Sequence, residues 1–340
     1  MSSNNEKLNS QAAPRRGSVH VSVVAEYAQK FGVLIALLLL CTYLTFANEY
    51  FLTIRNIVNV LRQVSINGIL AIGMTFVILT RGIDLSVGSV VAFAGLVSAS
   101  FATTSSVGAV AGGLYPVWVA LGVGIAVGSA TGAFSGLIIA RFHVPAFVVT
   151  LGMLSAARGA ALLYANGRPI PALTPEYRWI GTGEIIGIPV PIIIFAAVVF
   201  AAWYLLTSTR FGRHVYAVGG NPHAAVVSGI NIRRIHFFVY VISGALAGLA
   251  GMILAARTGS ALPQAGIAYE LDAIAAVVIG GTSLSGGIGT VRGTLVGALL
   301  IGIVNNGLDL LGVESYYQQI IKGVLIVAAV LLDQSRNRAA

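Results

Sequence analysis

Charge is what this chain has least of. Asp, Glu, Lys and Arg make up 9% of its residues, against about a quarter in a soluble globular domain, so a soluble fold with a solvated shell is excluded. With 57% hydrophobic residues and a mean hydropathy of +0.89, the composition is that of a polytopic membrane protein. Cys41 is the single cysteine. It has no disulfide partner and no second ligand for a metal, and inside FGVLIALLLLCTYLTFA it reads as a small packing residue.

Motifs for chemistry are missing as well. There is no G-x-x-x-x-G-K-[ST], and none of the three lysines follows a glycine, so the chain is not expected to hydrolyse ATP. H-E-x-x-H and G-x-S-x-G are absent, and no carboxylate pair falls within one apolar run. An intramembrane enzyme, a metal and a cofactor are therefore not expected. An ion-coupled secondary transporter needs ionisable groups at depth, and only Asp84, Arg158 and Asp272 could serve. The net charge of +9 brings nucleic acid to mind, but a nucleic-acid binder gathers its basic residues on one solvated surface. Here they are spread among loops, so no nucleic-acid partner is expected.

What is there centres on residues 208–236, STRFGRHVYAVGGNPHAAVVSGINIRRIH, a long polar insert in an apolar half. It carries Arg210, Arg213, Arg233 and Arg234 and no Asp or Glu. Short cytoplasmic loops collect Lys and Arg in this way, so the segment is expected to be cytosolic. Within it Asn221 can cap a helix, Pro222 suits the first helical position, and Gly229 supplies a left-handed stop. The body HAAVVS is far below the roughly 12 to 15 residues that an isolated helix needs. It must be held by tertiary contact, either as a plug for a groove on another protein or tucked against its own membrane domain.

The rest of the chain reads as an all-α polytopic membrane protein. Residues 1–30 are polar and form an expected disordered cytosolic tail, 31–333 a transmembrane domain, and 334–340 a second tail. No small-residue cleavage site follows the first apolar run, which is expected to be retained. Apolar stretches near the ~20-residue spanning length lie at 31–47, 57–79, 86–106, 115–140, 145–165, 189–207, 237–257, 271–283, 292–311 and 318–332. That predicts about ten transmembrane helices with both termini cytosolic. Arg81, Arg141, Arg210, Arg213, Arg233, Arg234 and Arg292 then fall inside, while Arg55, Arg168, Arg178 and Arg257 fall outside, in the sense of the positive-inside rule.

Glycine carries two signals. Gly124, Gly128, Gly132 and Gly136 recur every fourth residue, leaving one helix face bare for close packing. Gly244 with Gly248 and Gly293 with Gly297 repeat the spacing more weakly. TRGIDLSVGS at 80–89 and GGTSLSGGIGTVRG at 280–293 interrupt apolar runs with glycine, and paired interruptions of this kind point to a transport path. They share Leu85-Ser86-Val87-Gly88 and Leu284-Ser285-Gly286-Gly287, a short match that weakly suggests an internal duplication.

Polar residues inside the spans complete the expected path: Asn67, Asp84, Ser86, Ser285, Asn305 and Asn306. Amides can meet the hydroxyls of a neutral polyol as donor and acceptor together, or they can bond a neighbouring helix. Asp84 can pair with Arg81 or cap the third span at the positive end of its dipole.

Several stretches in one order are also familiar. FGRHVYAVGGNPHAAVVSGINIRRI with VYVISGALAGLAGMILAAR, TFVILTRGIDLSVGSVVA at 75–92, VPAFVVTLGMLSAARG at 144–159, NGRPI at 166–170 and AVVIGGTSLSGGIGTVRGTLVGALLIG at 276–302 resemble the permease subunits of bacterial ATP-binding cassette sugar importers. The resemblance covers most of residues 55–333. It implies a multi-pass inner-membrane permease that moves a monosaccharide by alternating access, with branched-chain amino acids as the alternative cargo. It implies coupling to a separate ATPase through Gly220, Asn221, Pro222, Ala224, Ala225, Ser228, Gly229 and Ile230. It further implies a periplasmic sugar-binding protein docked on residues 166–188. A subunit serving two ATPase sites is expected to pair with a second copy of itself, in contact with membrane lipid.

Overall fold

The computed structural model describes residues 18–105 and 115–339; most of the expected N-terminal tail therefore lies outside the described residues. The chain runs α1 Ser18–Ala47, α2 Ile54–Leu79, α3 Val87–Ser100, α4 Val117–Phe142, α5 Ala146–Tyr164, α6 Pro175–Thr182, β1 Glu184–Ile185, β2 Ile188–Pro189, α7 Val190–Ser208, α8 Arg210–Gly220, α9 Pro222–Val227, α10 Ile232–Thr258, α11 Tyr269–Ile279, α12 Val291–Leu310 and α13 Ser315–Ala339. The two strands form one antiparallel hairpin.

The expectation of ten transmembrane helices is not met. Among the described residues six helices are long and apolar enough to cross a membrane: α2, α4, α5, α7, α10 and α12. The eighth expected span is an 11-residue helix, α11, and the third a 14-residue helix, α3. At about 1.5 Å per residue these reach roughly 17 and 21 Å, short of the ~30 Å hydrocarbon core. Hydropathy measures apolar content, and these runs stay apolar past the point where the helix stops.

The core forms around α2 and α10. Every residue from Val64 to Thr80 is buried, as expected of a helix apolar all round. The glycine stripe of α4 packs on α10: a Cβ at Gly128 would overlap the carbonyl of Gly244, one at Gly132 the carbonyl of Tyr240, and one at Gly124 the sulfur of Met252. Gly244 and Gly248 are the other half of this contact. Gly293 and Gly297 likewise bring α12 onto α11, against the carbonyls of Gly280 and Ala276. All three spacings thus serve close backbone approach.

The order long, short, long, long occurs twice, as α2 to α5 and as α10 to α13. The packing recurs with it: α4 lies on α10 as α12 lies on α2, and α5 lies on α3 as α13 lies on α11. Within this scheme Leu85–Gly88 follows a long helix and Leu284–Gly287 a short one. The four-letter match therefore does not mark corresponding places.

At the end of the bundle away from α9, residues 166–189 fold over the helix ends. Thr103 and Thr104 bond the Pro171 and Ala172 carbonyls at 2.6 and 3.1 Å, and Ile170 bridges to Ala261. Tyr177 is fully buried, its hydroxyl 2.9 Å from the Ser98 hydroxyl. Burial pushes this phenol up, so it stays neutral. The hairpin tip, Ile186, is 98% exposed.

Candidate functional site

Three segments remote in sequence meet beside α9. The first is the end of α2, where the Thr80 hydroxyl bonds the Val77 carbonyl at 2.9 Å and Arg81 turns the chain with a left-handed φ of 65°. The second is the end of α8. Arg81 donates from Nε to the Gly219 carbonyl at 2.6 Å and from Nη2 to the Gly220 carbonyl at 2.7 Å. The last carbonyls of a helix have no partner within it, and a guanidinium suits the negative end of its dipole. Arg81 therefore closes α8 from outside.

The third segment is the loop between α11 and α12. The Gly287 N–H donates to the Leu79 carbonyl at 3.0 Å, and the Tyr216 hydroxyl of α8 to the Gly289 carbonyl at 2.9 Å. Burial raises the Tyr216 phenol, which keeps it a donor. The packing is backbone to backbone: a Cβ at Gly219 would overlap the Leu79 carbonyl, and one at Gly286 would meet the Arg81 side chain. The two glycine-interrupted segments thus do come together, with α8 as the third member of a knot.

α9 hangs from this knot. Its cap forms from the residues expected: Asn221 Oδ1 accepts from the Ala224 N–H at 3.0 Å, Pro222 opens the helix, and Gly229 takes a φ of 79°. The Ile230 N–H returns to the Ala225 carbonyl at 2.9 Å. Ala225 is buried, while Gly220, Asn221, Ala224, Ser228 and Gly229 are exposed. Val226 and Val227 are 59% and 89% exposed. Ala225 is the one buried side chain of the helix, Pro222 is half-buried, and the other four are exposed.

α8 itself was missed in the sequence, where the segment was read as holding one helix. Its signal is present: Thr209 caps the Gly212 N–H at 3.2 Å, and Gly212, Val215, Val218 and Gly219 form one buried face.

The six expected path residues are not brought to one place. Asp84 Oδ1 accepts from the Ser86 N–H and hydroxyl at 3.0 and 2.6 Å, and Oδ2 from the Ser243 hydroxyl of α10 at 2.8 Å. It neither pairs with Arg81 nor caps α3 directly, because Ser86 holds the cap position. Asn306 exchanges bonds with Asn56 at 2.8 and 3.0 Å, joining α12 to α2. Asn305 donates to Asp272 at 3.3 Å, and Lys322 of α13 pairs with the same oxygen at 3.0 Å. Ser285 is exposed in the third segment, its N–H 3.2 Å from the Ser283 hydroxyl. Asn67 is 8% exposed on α2. None of the six lines the cavity of about 680 Å³ beside α9 or the groove of about 570 Å³ between α2, α7 and α12.

The family described as "Branched-chain amino acid transport system / permease component" matches residues 56–330. The chain belongs to this permease family. Among curated relatives, this permease is 50% identical to the ribose import permease of Escherichia coli over 89% of the chain and 93% of the relative. It is 46% identical to the ribose import permease of Bacillus subtilis, over 91% and 94%. It is 38% identical to the D-allose transport system permease of Escherichia coli, over 91% and 93%. No solved structure matches the permease. With six long apolar helices among the described residues, the permease is a multi-pass inner-membrane protein.

Proposed function

We propose that the chain is the membrane-spanning subunit of an ATP-driven importer that carries a monosaccharide inward by alternating access. The observation that carries this reading is the identity of 50% over 89% of the chain to a ribose import permease. Ribose is accordingly the first sugar to test.

ATP hydrolysis belongs to a separate ATPase subunit, and α9 is the element that follows it. A six-residue helix cannot stand alone in water, yet this one is capped at both ends, anchored by Ala225, and mostly exposed beyond the half-buried Pro222. That is the form of a rigid peg offered to another protein. The end of the bundle bearing α8 and α9 is then cytosolic, in keeping with Arg210, Arg213, Arg233 and Arg234. Residues 166–189 at the opposite end would receive a periplasmic sugar-binding protein, with the apolar hairpin tip at Ile185, Ile186 and Ile188 exposed for it.

A second copy of the chain completes the reading. α5 is a span with 17% of its apolar window buried. Gly152 and Gly159 have open space where a side chain would stand, so this bare face suits close approach of another helix. Membrane lipid covers the remaining apolar surface.

The test is reconstitution in liposomes with the partner ATPase and binding protein, measuring ATP hydrolysis against pentoses, hexoses and branched-chain amino acids. Stimulation and accumulation with one sugar are expected. Uptake driven by a proton gradient without an ATPase, or stimulation by an amino acid alone, would sink the reading.

A further inference from the structure

The groove of about 570 Å³ between α2, α7 and α12 is apolar along its length and charged at one end. Val64 of α2 and Phe195 of α7, both buried, form its floor. Phe195 lies directly on Gly68, where a Cβ would overlap the ring. Phe200 and Trp203 make an aromatic wall, 64% and 36% exposed, with ring centroids 5.9 Å apart. Ser65 also lines the groove, but its hydroxyl is engaged by the Leu61 carbonyl at 2.7 Å. From Ile192 to Trp203 the groove follows α7 for about 17 Å, close to the ~15 Å of hydrocarbon in one leaflet.

Arg292 is the one charged residue in this lining. It is exposed. The ion pairs among the described residues are Arg62–Glu184 and Lys322–Asp272, and no hydrogen bond among them engages the Arg292 guanidinium, which is left free for an anion. Arg292 lies in the first turn of α12, beside Gly289, whose carbonyl accepts from Tyr216 of α8. The charged end of the groove is therefore the end that bears α8 and α9, where Arg210 and Arg213 are exposed as well. At the opposite end Arg62 is already paired with Glu184 at 2.9 Å. The groove also opens away from the α5 face offered to a second copy: α7 packs on α2, α6, α8 and α12, whereas α5 packs on α3 and α4.

We propose that this groove holds one acyl chain of an anionic phospholipid, with the headgroup phosphate on Arg292. A guanidinium forms charge-assisted hydrogen bonds with phosphate oxygens, and a basic residue at the mouth of a cleft between membrane helices selects anionic headgroups. The apolar floor and aromatic wall meet the chain through contact alone. The assignment of the lipid to the inner leaflet rests on the orientation proposed above, whereas its binding does not.

Quenching of Trp203 fluorescence in phosphatidylcholine vesicles tests it. The chain has three tryptophans, and Trp118 and Trp179 are 69% and 48% exposed, so Trp118→Phe with Trp179→Phe leaves Trp203 as the reporter in the groove. Phosphatidylglycerol with brominated acyl chains is expected to quench it at about a fivefold lower mole fraction than brominated phosphatidylcholine. Arg292→Gln, at an exposed position, should remove that preference and leave quenching by phosphatidylcholine unchanged. Equal quenching by the two lipids before that substitution overturns the proposal, as does a preference that survives it. If neither lipid quenches, protein covers the groove, a second copy included, and the proposal also fails.

Discussion

Arg81 and Gly219 lie 138 residues apart and meet with the guanidinium Nε 2.6 Å from the carbonyl oxygen. Through this bond the end of α2, buried in the centre of the bundle, holds the end of α8, from which α9 projects. The two helix ends are thereby joined through a charged, two-pronged contact.

Arg81→Ala should release the end of α8 at a cost of about 1.5–3 kcal/mol, the range for hydrogen bonds to charged groups. The expected result is a protein that still reaches the membrane but whose ATP hydrolysis no longer responds to sugar. Arg81→Lys should recover little, because a single ammonium lacks the planar fork that meets two carbonyls. Full stimulation in the Ala variant would show that the contact carries no coupling.

Ala224 and Ala225 are neighbours with opposite surroundings, exposed and buried. Ala224→Glu should leave thermal stability within about 0.5 kcal/mol of the parent while abolishing ATPase association in a pull-down. Ala225→Glu should destabilise the loop itself, since it buries an unpaired carboxylate. Similar melting curves for both would contradict the anchoring of α9 through Ala225.

Glycines at matched spacing should differ in tolerance. Gly128→Ala drives a Cβ into the Gly244 carbonyl, and overpacking of this kind costs about 1–3 kcal/mol. Gly152→Leu meets only open space in the single chain, so its monomer should melt like the parent. Native mass spectrometry should then show the pair dissociated, if α5 is where the second copy lies.

The Asp272–Lys322 pair, 3.0 Å apart with the carboxylate side chain 4% exposed, ties α11 to α13. Lys322→Met strands a buried charge and should cost about 3–5 kcal/mol. The double variant with Asp272→Asn should regain most of that loss in thermal inactivation. A double variant no better than the single one would argue that the pair is not coupled.

Legibility in the sequence followed the range of the forces involved. α9 could be read because Asn221, Pro222 and Gly229 act on backbone groups within a few residues. The stripe at Gly124–Gly136 could be read because helical periodicity is local, but that Gly244 and Gly248 face it could not. α8 went unread although Thr209 and the spacing of Val215 and Val218 mark it, because the basic residues around them dominate the composition. For Asp84 the sequence suggested Arg81 or the α3 cap. The bundle instead gave it Ser243, 159 residues away, alongside its near neighbour Ser86.

The sequence by itself determined that the chain is a helical membrane protein of this permease family, with a short capped helix in its basic loop. Composition, family motifs and capping chemistry all survive in linear order. Only the tertiary structure decided that α3 and α11 stop short and that Arg81 closes α8. It likewise decided that the buried Asn305 and Asn306 bond Asp272 and Asn56 on neighbouring helices. Helix length at depth depends on which backbone groups find partners, and those partners come from segments brought together only when the bundle packs.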